Sequence, residues 1–336
     1  MLEIDGSFGE GGGQILRTSL ALSLITQTPF RIVNIRRNRS KPGLRRQHLT
    51  AVRAAARIGN ADLSGDALNS SELTFRPRPI EGGDYSFDIG SAGSTTLVFQ
   101  TVLPALLLAP TPSLLSFVGG THNHGGPPWD FLYRVFLPAI ATMGAGVRIK
   151  LERHGFAPGG GGRWTARIEP SKLKQFTLHH RGQVLSRDVR VLIANLPKDI
   201  ADRELKTVRQ HLDWPRETMR SEGVEATGPG NIVLIATEYD HITELATGFG
   251  RKGVPAEKVA SEAVECWLAY ASTPAPVGEH LADQLLLPIA IAGSGSFTTV
   301  KPTRHTVTNA QVISKFLSVR FQLNTSDENT WTVGLE

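Results

Sequence analysis

A single cysteine, Cys266, stands in 336 residues. That scarcity excludes a disulfide framework and any zinc or iron–sulfur centre built on several cysteines, and it points to a reducing, cytoplasmic setting. Long apolar runs are also missing. The longest, Leu97 to Ala109, is broken by Gln100 and Pro104 and falls short of the roughly twenty residues needed to cross a bilayer. No membrane span is expected. The opening MLEIDGSFGEGGG has neither the basic start nor the apolar centre of a secretory signal, so export by that route is not expected. Aromatic residues are few, at 7%, yet apolar residues reach 40% and charged residues 20%, which is the balance of a folding globular chain. At this length a single core nears its limit, and two domains are expected.

Acids are absent from one stretch in particular. Between Arg31 and Arg57 stand nine Arg or Lys residues and no Asp or Glu. Arginine supplies 26 of the 36 basic residues in the chain, and its planar guanidinium grips phosphate in a bidentate way. The block suggests a polyanionic partner, although a solvated basic face has the same charge pattern.

Periodicity over the first 80 positions predicts strand Leu2 to Asp5, a Gly-rich turn, helix Gln14 to Thr26, strand Phe30 to Ile35, helix Leu44 to Ile58, and short strands at Ala61 to Leu63 and Leu73 to Arg76. The same β-α-β-α-β-β order recurs over 84–169, with strands at Tyr85 to Ile89, Leu114 to Phe117, Gly146 to Glu152 and Arg163 to Ile168 and helices at Thr95 to Leu108 and Trp129 to Met143. A period of about 85 residues marks an internal duplication of a supersecondary unit rather than a solenoid of short repeats. The C-terminal stretch reads as a third unit that has lost or displaced its opening, with helix His280 to Ala292, strand Ser296 to Val300, helix Asn309 to Leu317 and two closing strands. The intervening 185–273 has its own strand and helix pattern and reads as a small α/β domain inserted into a larger one formed by 1–184 and 274–336. The expected fold class is α/β (α+β) with three repeated units.

Several motifs carry chemistry only in combination. Gly9-Glu10-Gly11-Gly12-Gly13-Gln14 leads into a helix bearing Arg17, and Gly90-Ser91-Ala92-Gly93-Ser94 leads into the equivalent helix of the second unit. Amides at such helix starts can face an anion, but neither turn has the Lys-Ser/Thr of a P-loop, and each alone reads as a tight turn. Glu10 is the unusual member, since an acid beside a phosphate makes sense as a metal ligand or as a dipole-favoured residue at a helix start. Gly248-Phe249-Gly250-Arg251-Lys252-Gly253 has the formal spacing of a dinucleotide loop but no βαβ unit around it, and it reads as an ordinary loop. His122 and His124 lack a third metal ligand at a useful spacing. Near the C-terminus, His305 stands between a strand and a helix expected to start at the Thr308-Asn309 cap, where loops often carry function.

Five segments in order, Asp5 to Arg17, Ile35 to Leu49, Gly90 to Leu107, His280 to Pro288 and His305-Thr306-Val307-Thr308-Asn309, strongly resemble the RNA 3′-terminal phosphate cyclases. The resemblance spans essentially the whole chain. It implies three units akin to the C-terminal domain of translation initiation factor 3 plus a small inserted domain. It also implies ATP-dependent conversion of an RNA 3′-terminal phosphate to a 2′,3′-cyclic phosphate, through AMP carried on a histidine and then on the RNA end.

By this resemblance His305 is the nucleophile and Glu10 the ligand of a divalent metal, magnesium or manganese. Arg17, Arg36, Arg39 and Gln47 match the phosphate and RNA-end clamp. Gln100, Pro127, His280, Leu281, Ala282, Asp283 and Gln284 match the ATP pocket. His280 stands where the family commonly has a tyrosine stacked on adenine, and an imidazole stacks with less area. The implied partners are ATP and RNA with a 3′-terminal phosphate, with the oligomeric state left open. Two rivals use related folds: a silent RNA-binding or ribosome-assembly factor, and an enolpyruvyl-type transferase, which has no need of His305.

Overall fold

In the first 80 residues, β1 (Leu2–Asp5) lies parallel to β2 (Phe30–Val33), with α1 (Gly13–Thr26) making the crossover that parallel pairing requires. Helix α2 (Arg46–Ile58) then leads to antiparallel β3 (Asp62–Ser64) and β4 (Leu73–Arg76), and β4 docks on β2, giving the order β1-β2-β4-β3. The structure, a computed structural model, describes residues 1–325, 327 and 329–336.

The same thread is repeated by β5 (Asp84–Asp88), α3 (Thr95–Leu107), β6 (Ser113–Gly119), a helical segment, β7 (Gly146–Arg153) and β8 (Gly162–Glu169), in the order β5-β6-β8-β7. Its second helix is split into α4 (Trp129–Phe131), a π turn (Leu132–Phe136) and α5 (Leu137–Thr142), the kind of irregularity found often at functional sites. The third sheet has the order β9-β14-β16-β15 and contains β9 (Phe176–Leu178), β14 (Gly295–Thr299), β15 (Phe321–Thr325) and β16 (Trp331–Leu335), served by α8 (Glu279–Ala292) and α9 (Arg304–Phe316). Its opening strand is therefore present. Phe176–Leu178 pairs in parallel with Gly295–Phe297, displaced ahead of the intervening stretch. Three residues are too few for alternation to register, and only pairing with a distant strand identifies them.

The fourth sheet, in the order β11-β10-β12-β13, is built from β10 (Val184–Ala194), β11 (Met219–Gly223), β12 (Gly230–Tyr239) and β13 (Thr243–Phe249), with α6 (Lys198–His211) and α7 (Ala256–Ala271) packed on it. Strands β11 and β13 are not expected from the sequence. Alternate residues face opposite sides of a strand, and here both sides are buried. Val233 and Ile235 join the helix-covered core, whereas Ile232, Leu234 and Ala236 join the main core. Half-buried ion pairs reinforce that contact: Arg134 donates to Asp188 at 3.0 Å, and Arg190 pairs with the buried Asp130, which also meets His122 at 2.8 Å.

Helices α1, α3 and α8 carry apolar residues nearly all round and are largely buried, as central helices must be. Helix α1 packs on α2, α3 and α9, and α8 on α9. Trp164 stacks on Phe117 at 4.4 Å and donates to the Thr95 hydroxyl at 2.8 Å, fixing the start of α3. Among the described residues, no helix is long and apolar enough to cross a membrane.

Candidate active site

The Gly-rich turn and α9 are joined directly. The Glu10 amide donates to the Thr308 hydroxyl at 3.0 Å, and Arg304 donates to the Gly9 carbonyl at 2.6 Å. Gly9 has φ +54°, and a Cβ there would overlap the Thr308 hydroxyl, so this approach requires glycine. Two helix N-termini, those of α1 and α9, thereby converge, and their free amides favour an anion.

Helix α9 starts at Arg304, capped by Thr303, whose hydroxyl accepts from the Thr306 amide at 3.3 Å. This corrects the expected start at Thr308-Asn309. Those two side chains are engaged in tertiary contacts: Thr308 with Glu10, and Asn309 accepting from the Thr18 hydroxyl at 2.8 Å while donating to the Asp283 carbonyl at 2.8 Å. His305 accordingly lies in the first helical turn rather than in a loop, with its side chain about half exposed.

Around His305 the polar groups form a directed chain. The Gln14 amide nitrogen donates to Asp283 Oδ2 at 2.5 Å, and its amide oxygen lies 3.1 Å from His305 Nδ1. An amide oxygen can only accept, so Nδ1 carries the proton and Nε2 presents a lone pair. Nε2 faces Glu10 Oε1 at 3.7 Å. Burial, with the nearby Arg17 and Arg39 cations and His280, pushes the His305 pKa below the usual 6.5, keeping the imidazole neutral. Asp283 is pushed up to about 7 by burial, against the opposing pull of Arg17 and the Gln14 hydrogen bond.

Arg17 lines the cavity and has no hydrogen bond or close ion pair with any described residue. Burial lowers it only to about 10, so it remains a guanidinium cation. His48, behind it, is buried, accepts from the Arg45 amide at 3.2 Å, and is driven down to about 3 by burial and by Arg17, Arg36 and Arg45. It is a neutral spacer among arginines. Sequence reasoning singles out neither Gln14 nor His48, although both lie inside the segments that carry the resemblance.

The other expected residues separate into four groups. Glu10 and Arg39 form an ion pair on the rim, with the Glu10 carboxylate also accepting from the Gly12 amide at 2.6 Å. Arg36 holds the Lys41 and Gly43 carbonyls, and Gln47 accepts from the Ser94 amide at 3.1 Å at the start of α3. Gln100, Pro127, His280, Asp283 and Gln284 line a cavity of about 550 Å³ together with Gln14, Arg17 and His305. Gln100 bonds Gln284, which donates to the His280 carbonyl at 2.8 Å. Leu281 and Ala282 are buried in the core at 0% and 1% exposure, and the Ala282 amide is bonded to the Gly278 carbonyl at 3.1 Å, so they support the pocket from behind.

The fourth sheet supplies another wall. Leu245, Thr247 and Phe249 lie on one face of β13 and line the cavity, as do His124 and the Arg251–Glu262 ion pair at 2.7 Å. The formal glycine-spaced segment thus contributes side chains to this wall, and its first glycine lies in the antiparallel β12–β13 pair. His122 is spent on Asp130, and no cluster of three or more His, Cys, Asp or Glu suited to a metal occurs among the described residues. A single carboxylate, Glu10, still fits a magnesium-type ion, which takes one or two protein carboxylates and completes its shell with phosphate and water.

A profile of the RNA 3′-terminal phosphate cyclase family matches residues 8–323. The chain is similar to an RNA 3′-terminal phosphate cyclase of Koribacter versatilis, with 51% identity over 100% of this chain and 95% of the relative. Relatives of the same name from Pseudomonas fluorescens, at 49% identity over 99% of this chain and 97% of theirs, and from Salmonella enteritidis, at 46% over 97% and 96%, are similar along their length.

Proposed function

The chain belongs to the RNA 3′-terminal phosphate cyclase family, and from that premise we propose that it converts an RNA 3′-terminal phosphate to a 2′,3′-cyclic phosphate at the expense of ATP, through AMP bound covalently to His305. The observation that carries this reading is the Asp283–Gln14–His305 chain, which leaves a neutral Nε2 lone pair beside an unpaired arginine.

In the first step Nε2 attacks the α-phosphorus of ATP, the N–P bond forms, and pyrophosphate leaves. No proton moves, because Nδ1 already bears one; the adduct is a phosphorylated imidazolium held by Gln14. In the second, an oxygen of the RNA 3′-phosphate attacks the same phosphorus and His305 departs as neutral imidazole, a good leaving group. In the third, the 2′-hydroxyl attacks the RNA phosphorus, its proton passes to solvent, AMP leaves, and the ring closes. Only RNA has that hydroxyl.

Arg17 holds the triphosphate, with Arg36 and Arg39 at the rim and the two helix starts adding their dipoles. Glu10 holds a divalent ion, magnesium or manganese, which supplies charge neutralisation of phosphate. The nucleoside occupies the pocket of Gln100, Pro127, His280, Asp283 and Gln284, with Leu281 and Ala282 supporting it. Gln47 braces the second turn against this site. The three recurring units follow the C-terminal domain of translation initiation factor 3, with 185–273 as an inserted domain of this cytoplasmic enzyme.

The test is incubation with α-labelled ATP and either metal, followed by denaturing electrophoresis and conversion of a 3′-phosphorylated oligoribonucleotide. An acid-labile AMP adduct and a cyclic end are expected. RNA binding with neither product would favour a silent RNA-binding factor.

A further inference from the structure

Helix α2 starts at the proposed active site and runs away from it. Its first turn contributes Gln47, bonded to Ser94, and His48, which packs against the Gly13 turn so closely that a Cβ there would overlap its ring. One face of the helix is apolar and buried. The opposite face carries Arg46, Arg53 and Arg57, all exposed. At 1.5 Å per residue these three span about 16 Å along the axis.

These arginines border a second groove of about 370 Å³ between α2 and β5, floored by Leu49, Leu68 and Phe87. Arg46 donates to the Gly90 carbonyl at 2.7 Å, and Arg57 lies over the Tyr85 ring at 5.4 Å. Both are held by neutral groups, which steady the guanidinium without neutralising it. Arg53 reaches Asp66 at 3.4 Å, on the surface, where a pair this exposed is weak. Asp88 is the acid that lines the groove itself. The helix itself has no acid, nor has any residue from Arg31 to Arg57.

We propose that Arg46, Arg53 and Arg57 form a track for the backbone phosphates of the RNA strand leading to the terminus, upstream of the phosphate being cyclised. The inference rests on the reading of the site as an RNA-end cyclase. The track begins at the residue before Gln47, in the helix turn whose His48 packs on the Gly13 turn, and continues in one direction, so it accepts a single strand end-on. Contacts of this kind are to phosphate and do not select sequence. They matter only when the substrate is long enough to reach them.

The test compares wild type with the R53Q/R57Q double variant, on exposed residues outside the proposed catalytic groups. Two substrates are used: a single-stranded 3′-phosphorylated oligoribonucleotide long enough to span α2, and a dinucleotide 3′-phosphate. The variant is expected to melt like wild type and to form the AMP adduct at the wild-type rate. Its KM for the long substrate should rise about tenfold, and the slope of log affinity against log salt should shrink by about 1.4, at roughly 0.7 for each phosphate no longer neutralised. KM for the dinucleotide should not move.

Equal effects on both substrates, or none on either, would overturn the track. Should wild type form no AMP adduct, the proposed function has failed and the track is judged by itself. Anisotropy binding of the same long strand with a 3′-hydroxyl then keeps the salt-slope difference if the track is real and loses it if not.

Discussion

The amide oxygen of Gln14 lies 3.1 Å from Nδ1 of His305, joining the first turns of α1 and α9 across 291 positions of chain. That one contact selects the tautomer and so the reacting nitrogen. Gln14→Leu removes the acceptor and should slow enzyme–AMP formation by up to about a hundredfold; it also strips the buried Asp283 of its donor, at a cost of about 1–3 kcal/mol in stability. Gln14→Glu places an anion beside the ring and should move the acid limb of the rate profile to higher pH. If single-turnover profiles of the two variants coincide, Gln14 acts only through packing.

His305 titrates below the usual 6.5 because burial and the Arg17 and Arg39 cations disfavour its protonated form. The neutral form is the nucleophile, so the adenylation rate should rise with pH along a limb whose midpoint lies below 6.5. Single-turnover rates across pH measure this, and a His305 limb centred above 6.5 contradicts it. An inflection near 7 that vanishes in Asp283→Asn belongs to that buried carboxyl.

The buried neutral histidines make stability depend on acid. His48 and His154 bind a proton at the usual 6.5 when unfolded but only at about 3 and about 4 when folded. The unfolded chain therefore takes protons first. Stability is full above 6.5 and falls as pH drops towards the folded values, at no more than about 1.4 kcal/mol per pH unit for each site. Urea unfolding between pH 4 and 7 should show that slope, and His48→Gln should reduce it. An unchanged slope in the variant would place the acid sensitivity elsewhere.

Asp130 is held well below the usual carboxylate range by His122 and Arg190 despite burial, with its side chain 7% exposed. Asp130→Ala leaves Arg190 without this partner where the fourth sheet meets the main body. The expected loss is about 3–5 kcal/mol, seen as a lower midpoint in urea. A change below about 1 kcal/mol would mean that the pair contributes little.

Much of this molecule is legible in its sequence because its units are repetitive and its central helices are apolar. The six elements of each of the first two units follow from periodicity, with ends shifted by a few residues. Phe176–Leu178 does not, since a three-residue strand acquires its identity from pairing with β14. The start of α9 escapes local reasoning because Thr303, Thr306, Thr308 and Asn309 are all capable caps; contacts from Glu10 and Thr18, far away in sequence, decide among them. His305, Arg17 and Asp283 stand out in the motifs, whereas the role of Gln14 depends on two side chains from other units. The wall made by Phe249 and Arg251 depends on how the fourth sheet turns its faces, which local sequence does not specify.

The central claim is that Nε2 of His305 becomes bonded to AMP. Incubation with α-labelled ATP and magnesium or manganese, followed by mass spectrometry of the peptide containing residue 305, tests it most directly. The account predicts a single AMP adduct on Nε2 of His305, cleaved by acid and absent in His305→Asn. An adduct on another residue, or one that persists in His305→Asn, would contradict it.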